Sequence, residues 1–339
     1  MCDIIVVGGS AGAVEAMQEL VRSFPPAMPA AVFMVLHISP DFNSMLPQIL
    51  GRKGPLPAKH PEDGEPIRPG QIFVAPPDRH LTIQDGVVRL TRGPRENRHR
   101  PAIDPLFRTA AKVYDSRVIG IILSGHLDDG AAGLHAIRSR GGIGIVQDPQ
   151  DAQAAQMPRS ALQYGGADYV LPLTQIGPLV AELVTNCRRS AMKDKQTNID
   201  MDKESANAEV MANLEVSRPN EGHGVPSAFS CPECSGVLWE LREGGLVRFR
   251  CRVGHGYTMA SLAEDQTDAV ENALWAAMRA LEEKAALSTR MSEASVDPRM
   301  ALRMREQAQD NRDHADIIRR IIFKDQKDEK DEKEKQLAG

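Results

Sequence analysis

The stretch Asp3–Glu15, DIIVVGGSAGAVE, decides the fold. Its short apolar run stops at a pair of glycines, and a helix-like run, Ala13–Arg22, follows. This order predicts a buried strand, a tight turn and a helix, with Ser10 at the apex of the turn. The spacing Gly8-x-Ser10-x-Gly12 fits a nucleophile elbow, in which small neighbours allow a sharp turn to expose the serine oxygen. At this point a glycine turn that is structural or binds phosphate is the alternative.

Length, charge and cysteine usage bound the class of protein. The chain has 339 residues, 42% hydrophobic residues and a net charge of -5, enough for two domains or for one domain with appendages. The mild acidity gives no support to a nucleic-acid partner. The sequence has no signal-peptide pattern and no long apolar run, so we expect no membrane span. Three of the five cysteines cluster late in the chain, which favours a reducing, cytoplasmic location and a metal rather than disulfides.

Apolar runs alternate with helical segments up to residue 187. This alternation predicts an α/β fold, a doubly wound, mostly parallel and Rossmann-like sheet. The predicted strands are Asp3–Gly8, Ala31–Leu36, Gln71–Ala75, Val118–Ser124, Gly142–Gln147 and Tyr169–Leu171. The predicted helices are Ala13–Arg22, Phe42–Leu50, Pro105–Val113, Gly130–Arg140, Pro158–Gln163 and Ile176–Cys187. An Asp-Gly turn predicts a further hairpin of His80–Gln84 with Val87–Thr91.

The composition of the C-terminal half predicts four segments after the domain 1–187. They are a polar linker, 188–227, a cysteine-containing module, 228–258, a helical hairpin, 259–323, and a charged tail, 324–339. The two helical patterns break at Asp297-Pro298. The apolar seam around Trp275 is expected either to form the core of the hairpin or to associate with a second copy or a partner.

Side chains that suit acyl transfer follow three predicted strands. Ser10 needs a base and an orienting acid, because a free serine hydroxyl is a poor nucleophile. His37 directly follows the second strand, and Asp128 and Asp129 follow the strand Val118–Ser124. The carboxyl ends of parallel strands share one edge, where ligands gather. A structural histidine, and aspartates that cap the next helix, are the alternatives.

Six blocks of the sequence, over residues 1–185, resemble the catalytic domain of the CheB-type chemotaxis protein-glutamate methylesterases. They are VVGGSAGAVEAM at 6–17, LHISPDF at 36–42, IFVAPPDRHL at 72–81, NRHRPAIDPLFRTAA at 97–111, GIILSGHLDDGAAGL at 120–134 and QDPQDAQAAQMPRSA at 147–161. The resemblance implies a serine hydrolase that demethylates glutamate methyl esters on chemoreceptors or a related signalling protein, and that deamidates glutamine. It implies Ser10 as nucleophile, His37 as base and Asp129 as orienting acid.

Two positions near the nucleophile differ from the usual family sequence. Ala11 stands where threonine is common, and His126 stands where methionine is common. The resemblance assigns the backbone N–H groups near both residues to the oxyanion, and gives Arg100 a supporting place in the cleft. Such enzymes usually carry a receiver domain that relieves inhibition when phosphorylated. No segment of this chain fits one, so regulation is expected from a partner, from the C-terminal half, or not at all.

The late cysteines form a pattern of metal ligands. The pair Cys231-x2-Cys234 and the pair Cys251-x3-His255 supply four ligands for a structural, tetrahedral Zn²⁺. A redox or metal-free module is the alternative. The segment resembles a zinc-ribbon-like extension found behind some stand-alone methylesterase domains.

Two functions other than an esterase also fit parts of the sequence. A catalytically inactive signalling scaffold would act through the zinc module and the helices. A nucleotide-binding oxidoreductase would use the glycine turn, but Ser10 replaces its second glycine and His37 stands where an acidic residue would hold the ribose.

Overall fold

The computed structural model describes residues 3–40, 44–190, 224–243 and 246–337. Contacts group the chain into two compact units, Met1–Leu262 and Ala263–Gly339. Most of the predicted linker, the first residues of the predicted helix Phe42–Leu50 and the last two residues of the predicted tail lie outside the described residues. The predicted boundaries between segments stay predictions.

A seven-stranded parallel sheet forms the centre of the first unit, in the order β3-β4-β2-β1-β7-β8-β9. Its strands are β1 (Ile4–Gly9), β2 (Ala31–Leu36), β3 (Ala58–Lys59), β4 (Ile72–Val74), β7 (Val118–Ile122), β8 (Ile143–Gln147) and β9 (Tyr169–Leu171). Strands β5 (His80–Gln84) and β6 (Val87–Thr91) form a separate hairpin with the predicted bounds. The predicted α/β fold class is confirmed.

Helices connect the strands of the sheet. They are α1 (Ala13–Arg22), α2 (Leu46–Lys53), α3 (Ile103–Tyr114), α4 (Ala131–Ser139), α5 (Gln156–Ser160) and α6 (Leu173–Ser190). Helix α1 has the predicted bounds, whereas α3 begins two residues before the predicted start at Pro105. The reason is tertiary: the Asp129 carboxylate accepts the N–H groups of Ile103 and Asp104, so a distant residue supplies the first turn of α3 with its acceptor.

The core lies on both faces of the sheet. On β1, Ile5 and Val7 pack on the side of α1 and α6, while Ile4 and Val6 pack on the side of α3 and α4. Because successive side chains of a strand point to opposite faces, a strand with apolar residues at every position must be covered twice. This explains why β1, an inner strand of the sheet, is a continuous apolar run.

The cysteine-containing module is a four-stranded antiparallel sheet in the first unit. Its strands are β10 (Val225–Ser230), β11 (Val237–Glu243), β12 (Leu246–Cys251) and β13 (Gly256–Thr258). Its small core contains Leu238, Phe249 and Tyr257 with two of the cysteines. So few apolar residues suggest that the module needs a further cross-link to be stable.

Two long helices follow, α7 (Met259–Ala294) and α8 (Pro298–Leu337), and the second unit contains α8 and all of α7 but its first four residues. Arg312 donates to Thr289 Oγ1 at 2.9 Å, and the Trp275 and Phe323 rings lie edge to face at 6.1 Å. These pairings are antiparallel, so the predicted hairpin is present. Of the seam, Trp275 contacts α8 but stays 36% exposed, so the choice between hairpin core and association surface stays a prediction. Among the described helices, none is long and apolar enough to cross a membrane.

Candidate active site

The three predicted catalytic side chains follow three neighbouring strands. Ser10 comes after β1, His37 after β2 and Asp129 after β7, and these strands are adjacent and parallel in the sheet. Ser10 and His37 line one cavity of about 420 Å³. His37 Nε2 donates to Asp129 Oδ2 at 2.8 Å, and both side chains are buried. The structure therefore brings together the serine, the histidine and the aspartate that the sequence singled out.

The turn around Ser10 is fixed by backbone contacts. The Ser10 N–H donates to the Ser124 carbonyl at 2.9 Å, and the Ser10 carbonyl accepts the N–H of Ala13 at 3.1 Å. Gly12 has φ +73°, which a side chain would strain, so the turn into α1 needs a glycine there. A Cβ added to Gly125 would lie 2.9 Å from the Ser10 Cβ. The loop after β7 thus packs directly on the nucleophile candidate.

Asp129 is buried among donors. Its carboxylate accepts the Ile103 N–H at 2.6 Å, the Asp104 N–H at 3.2 Å and the Asn97 amide at 2.8 Å, besides His37. Burial alone would raise the pKa of Asp129, but the hydrogen bond and charge of His37 and these N–H donors outweigh it and lower the pKa to about 2. Asp129 therefore stays ionised and can orient the histidine.

The alternative that these aspartates cap the helix after them is wrong. Helix α4 has Gly130 at its N-cap, with φ +92°, and its first turn is served by Asp104, whose Oδ1 accepts the Gly133 N–H at 2.7 Å. Asp129 instead serves the start of α3, and Asp128 accepts the hydroxyl of Thr258 at 2.7 Å. Local sequence suggested the neighbouring helix because aspartate is a good N-cap, but the tight turn at Gly130 points the carboxylates away from it.

A second histidine covers His37. The ring of His99 stacks on that of His37, with centroids 3.6 Å apart and planes at 12°. Burial, and then the charge of His37, lower the pKa of His99 to about 3, so His99 is neutral at ordinary pH. His37 Nδ1 is buried and has no hydrogen-bond partner among the described residues. This nitrogen lies in the imidazole that lines the cavity with Ser10, and it is the acceptor left for a serine proton.

Asn97 links two buried carboxylates. Its amide nitrogen donates to Asp129 Oδ1 at 2.8 Å and to Asp104 Oδ2 at 3.0 Å. Burial and the charge of Asp129 raise the pKa of Asp104 to about 6. Burial is also the main cause that raises the pKa of Asp128 to about 6. Sequence reasoning did not single out Asn97 or His99, although both stand in the block NRHRPAID that carried the family resemblance.

Arginines surround the mouth of the cavity. Arg95, Arg98 and Arg100 line it together with Asp78. Arg100 donates to Asp78 Oδ1 at 2.8 Å and to the Gly93 carbonyl at 2.7 Å, which fixes its place at the rim. Arg100 therefore lies at the cavity, and its supporting role stays a prediction.

The two unusual family positions, Ala11 and His126, are not among the residues that line the cavity. The His126 side chain is exposed. The Ala11 carbonyl accepts the hydroxyl of Ser124 at 2.7 Å, which ties the turn of the nucleophile to the end of β7. The oxyanion role of the N–H groups near these residues stays a prediction.

The four predicted metal ligands converge at one end of the module. The ligand atoms of Cys231, Cys234, Cys251 and His255 all lie within 4.8 Å of one another. His255 Nδ1 is 3.6 Å from Cys231 Sγ and 3.4 Å from Cys251 Sγ, and the Cys234 and Cys251 sulfurs are 3.6 Å apart. Zinc bonds of about 2.3 Å to sulfur and about 2.0 Å to nitrogen place tetrahedral ligand atoms about 3.5–3.8 Å apart. These donors therefore fit a tetrahedral zinc ion.

Glu233 holds the histidine of this cluster from the other side. Its Oε2 is 3.2 Å from His255 Nε2. Metal-bound histidines commonly donate their second ring N–H to a carboxylate, which fixes the tautomer and strengthens the ligand. The arrangement leaves Nδ1 as the ligand atom.

Comparison with known proteins assigns the first half of the chain to a family. The family profile described as CheB methylesterase matches residues 5–180. A protein of Leptospira interrogans with the provisional name protein-glutamate methylesterase/protein-glutamine glutaminase is 40% identical over 185 residues, which are 54% of this chain and 96% of the relative. A protein-glutamate methylesterase/protein-glutamine glutaminase of Anaeromyxobacter dehalogenans is 35% identical over 181 residues, 53% of each chain.

A solved structure agrees with these sequences. The crystal structure of the Thermotoga maritima CheB methylesterase catalytic domain aligns with a TM-score of 0.52 and 34% identity, over 54% of this chain and 99% of that one. The chain spans nearly all of the Leptospira relative but only about half the length of the Anaeromyxobacter relative. The family profile ends at residue 180, before the cysteine-containing module.

Proposed function

We propose that this chain, which belongs to the CheB methylesterase family, is a serine hydrolase that removes methyl groups from glutamate methyl esters of chemoreceptors or a related signalling protein. The observation that carries the proposal is the buried His37–Asp129 pair on the cavity that Ser10 also lines. A nucleophile, a base and an ionised orienting acid are the three roles that ester hydrolysis by serine needs.

In the proposed mechanism Ser10 attacks the ester carbonyl carbon while His37 Nδ1 takes the hydroxyl proton. Asp129 stabilises the imidazolium through Nε2–H, and its low pKa keeps it ionised while it does so. The tetrahedral intermediate collapses, and methoxide leaves with the proton from His37 as methanol. His37 then deprotonates a water, which hydrolyses the glutamyl ester on Ser10 and restores the hydroxyl.

The neutral state of His99 supports the base role of His37. A second cation stacked at 3.6 Å would oppose the imidazolium that forms in the transition state. Since the pKa of His99 is about 3, His99 offers a flat, uncharged face instead. Backbone N–H groups near Ala11 and His126 are proposed to stabilise the oxyanion, and one such donor is typically worth about 3 kcal/mol.

The charge of the cavity rim supports an acidic substrate. Three arginines and one aspartate give the rim an excess of positive charge. A peptide segment with glutamates around the methyl ester would be attracted to it, and the glutamate product carries a further charge. The same chemistry with ammonia as leaving group would deamidate glutamine, an activity that the names of the relatives also state. We propose chemoreceptor segments as the partner on these grounds.

The decisive test is the change Ser10→Ala, assayed by methanol release from a methylated chemoreceptor and by labelling with a fluorophosphonate. We expect both to disappear with no loss of thermal stability, because the Ser10 backbone contacts do not involve the hydroxyl. Unchanged methanol release would refute the serine mechanism. A wild type that neither reacts with the probe nor releases methanol would favour the signalling scaffold.

We further propose that the Cys3His cluster holds one structural Zn²⁺. The short distances among the four donors, and the Glu233 contact to His255, support a closed site with all four positions supplied by protein. When bound, the ion cross-links a module with a small core. Zinc-bound thiolates persist in a reducing compartment, so the proposal includes a cytoplasmic location.

The metal content of the purified full-length chain tests the zinc proposal. One zinc per chain by elemental analysis, lost in Cys251→Ser, is the expected result. A full-length protein without metal, and with the cysteines freely titrated by a thiol reagent in the folded state, would refute it.

A further inference from the structure

One segment lies between the candidate active site and the cysteine-containing module. We call residues Arg95–Arg100 the bridging loop. On the catalytic side, its Asn97 amide donates to Asp129 Oδ1 at 2.8 Å, and its His99 ring stacks on His37. Arg95, Arg98, His99 and Arg100 line the cavity. The position of this loop therefore decides the surroundings of both His37 and Asp129.

The same loop is held by the module through its backbone. The Asn97 N–H donates to the Gly256 carbonyl at 2.8 Å, and the Gly256 N–H donates to the Arg95 carbonyl at 3.2 Å. These two bonds pair Glu96 with Gly256, the first residue of β13, as in a parallel sheet. The residue that contacts Asp129 through its side chain is thus anchored to the module through its main chain.

Buried ion pairs also connect the bridging loop to the module. Glu96 accepts Arg248 at 3.1 Å and Arg250 at 3.2 Å, both from β12, and it accepts Arg108 of α3 at 2.7 Å. Burial alone would raise the pKa of Glu96, but these guanidinium groups hold it well below its usual range. Breaking such a buried pair from one side leaves an uncompensated charge, which is strongly destabilising. Separating the bridging loop from the module would therefore leave buried charges unpaired.

The metal ligands connect to the loop through one more residue. Glu233, whose Oε2 is 3.2 Å from His255, lies with its Oε1 at 3.9 Å from Arg95. Cys251 ends β12, the strand that carries Arg248 and Arg250, and His255 directly precedes Gly256. The two strands that hold the loop are thus joined end to end by the predicted C-x3-H turn. An ion bound there would fix their spacing.

The backbone of the loop shows why it needs support. Asn97 has φ +49° and Arg98 has φ +73°, two successive residues without glycine in the left-handed region. Such residues are strained and persist only where the surroundings determine them. The bonds to Gly256 and to the arginines of β12 are the surroundings that this loop has on the module side.

We propose that the Cys3His module positions the active site: through Arg248 and Gly256 it holds the bridging loop so that Asn97 and His99 keep Asp129 and His37 in their catalytic arrangement. The inference rests on the proposed esterase function and adds the C-terminal module to it. Arg248 is a positioning residue that acts through Glu96 and Asn97. Loss of the metal releases the loop, and turnover of the ester therefore falls with metal occupancy.

The test compares Arg248→Met with Arg242→Met in the full-length chain. Arg242 lies on β11 of the same module and pairs with Glu240 at an exposed position, so it is a matched control. In Arg248→Met we expect faster hydrogen exchange at the amides of the bridging loop and of Gly256, with exchange in β1 unchanged. We expect kcat for methanol release to fall by at least about tenfold with KM changed less than about twofold, because displaced catalytic groups slow the chemical step. Arg248→Lys keeps the charge and should restore part of both readouts.

A second arm removes the metal from wild-type protein with a chelator and restores it with Zn²⁺. The same amides should lose and regain protection together with kcat. The inference is overturned if Arg248→Met and metal-free wild type both show the hydrogen exchange and kcat of Arg242→Met. Faster exchange with unchanged kcat would overturn it as well. A wild type that releases no methanol overturns the proposed function and this inference with it, whereas an active wild type with an unaffected Arg248→Met overturns this inference alone.

Discussion

Replacing Asn97 with alanine removes an amide that lies between the carboxylates of Asp129 and Asp104. Two hydrogen bonds disappear, at 2.8 Å and 3.0 Å, and both acceptors are buried. A hydrogen bond to a charged group contributes about 1.5–3 kcal/mol. We expect Asn97→Ala to lower the free energy of unfolding of the first unit by about 3 kcal/mol, the lower end of the sum, since water can enter the vacated space.

The catalytic cost follows from the geometry of Asp129. This carboxylate accepts Asn97, His37 and the N–H groups of Ile103 and Asp104. Without Asn97 it can turn away from His37, and a loss of about 2 kcal/mol of orientation corresponds to about a 30-fold lower kcat. Methanol release at saturating substrate measures this effect, and the exposed Asn272→Ala in α7 is the control.

The pH dependence gives the prediction its sharpest form. The pKa of Asp104 is raised from 3.8 to about 6 in the fold. A raised carboxyl pKa destabilises the fold above that pKa, and the cost disappears once the pH falls below 3.8. Without the hydrogen bond from Asn97, the pKa of Asp104 should rise further. The stability difference from wild type should therefore be greatest at about pH 7.5 and shrink towards about pH 4. A kcat within twofold of wild type, or a stability loss that is constant with pH, would refute the reasoning.

Three other substitutions test neighbouring features. Asp128→Asn should be more stable than wild type at neutral pH, by up to about 3 kcal/mol in thermal melts, and equally stable below about pH 4. The reason is that the substitution removes a buried carboxyl whose pKa is about 6, while the new amide oxygen can still accept the Thr258 hydroxyl. Lower stability at neutral pH would contradict this. Gly125→Ala should slow fluorophosphonate labelling of Ser10 at least about tenfold, since the new Cβ would lie 2.9 Å from Ser10 and 2.6 Å from the Met157 methyl; normal labelling would contradict the packing. Glu233→Gln should weaken zinc binding about 10–100-fold in a competition with a chromophoric chelator, against Glu240→Gln as control, and an unchanged affinity would show that Glu233 does not orient His255.

The fold was predictable because its signals are local and repeated. Apolar runs with small residues at their ends predicted the central strands and the bounds of α1, and the Asp-Gly turn predicted the hairpin β5–β6. The convergence of Ser10, His37 and Asp129 followed from one rule, that parallel strands end at the same edge. A residue that directly follows a strand can be placed this way without any knowledge of side-chain contacts.

The support around these residues could not be predicted in the same way. Asn97 and His99 belong to a loop between the hairpin and α3, and only packing shows that they contact Asp129 and His37. The role of Asp129 at the start of α3 depends on a residue 26 positions away. Local propensity therefore assigned the aspartates to the wrong helix. Contacts between segments distant in sequence leave no periodic signal.

Buried charges join the module to the catalytic fold. Glu96, Asp104, Asp128 and Asp129 are all buried in the first unit. Three arginines pair with Glu96: Arg108 belongs to the catalytic fold, and Arg248 and Arg250 belong to the module. The hydroxyl that donates to Asp128, from Thr258, also belongs to the module.

The Thermotoga catalytic domain aligns over 99% of its length with about half of this chain, so the fold can form without such a module. In this chain the module supplies two of the three guanidinium groups that contact Glu96. The acids beside the active site therefore depend on it, because a buried carboxylate that loses its partner is costly. The module thus shares one compact unit with the catalytic fold and is joined to it through buried charges.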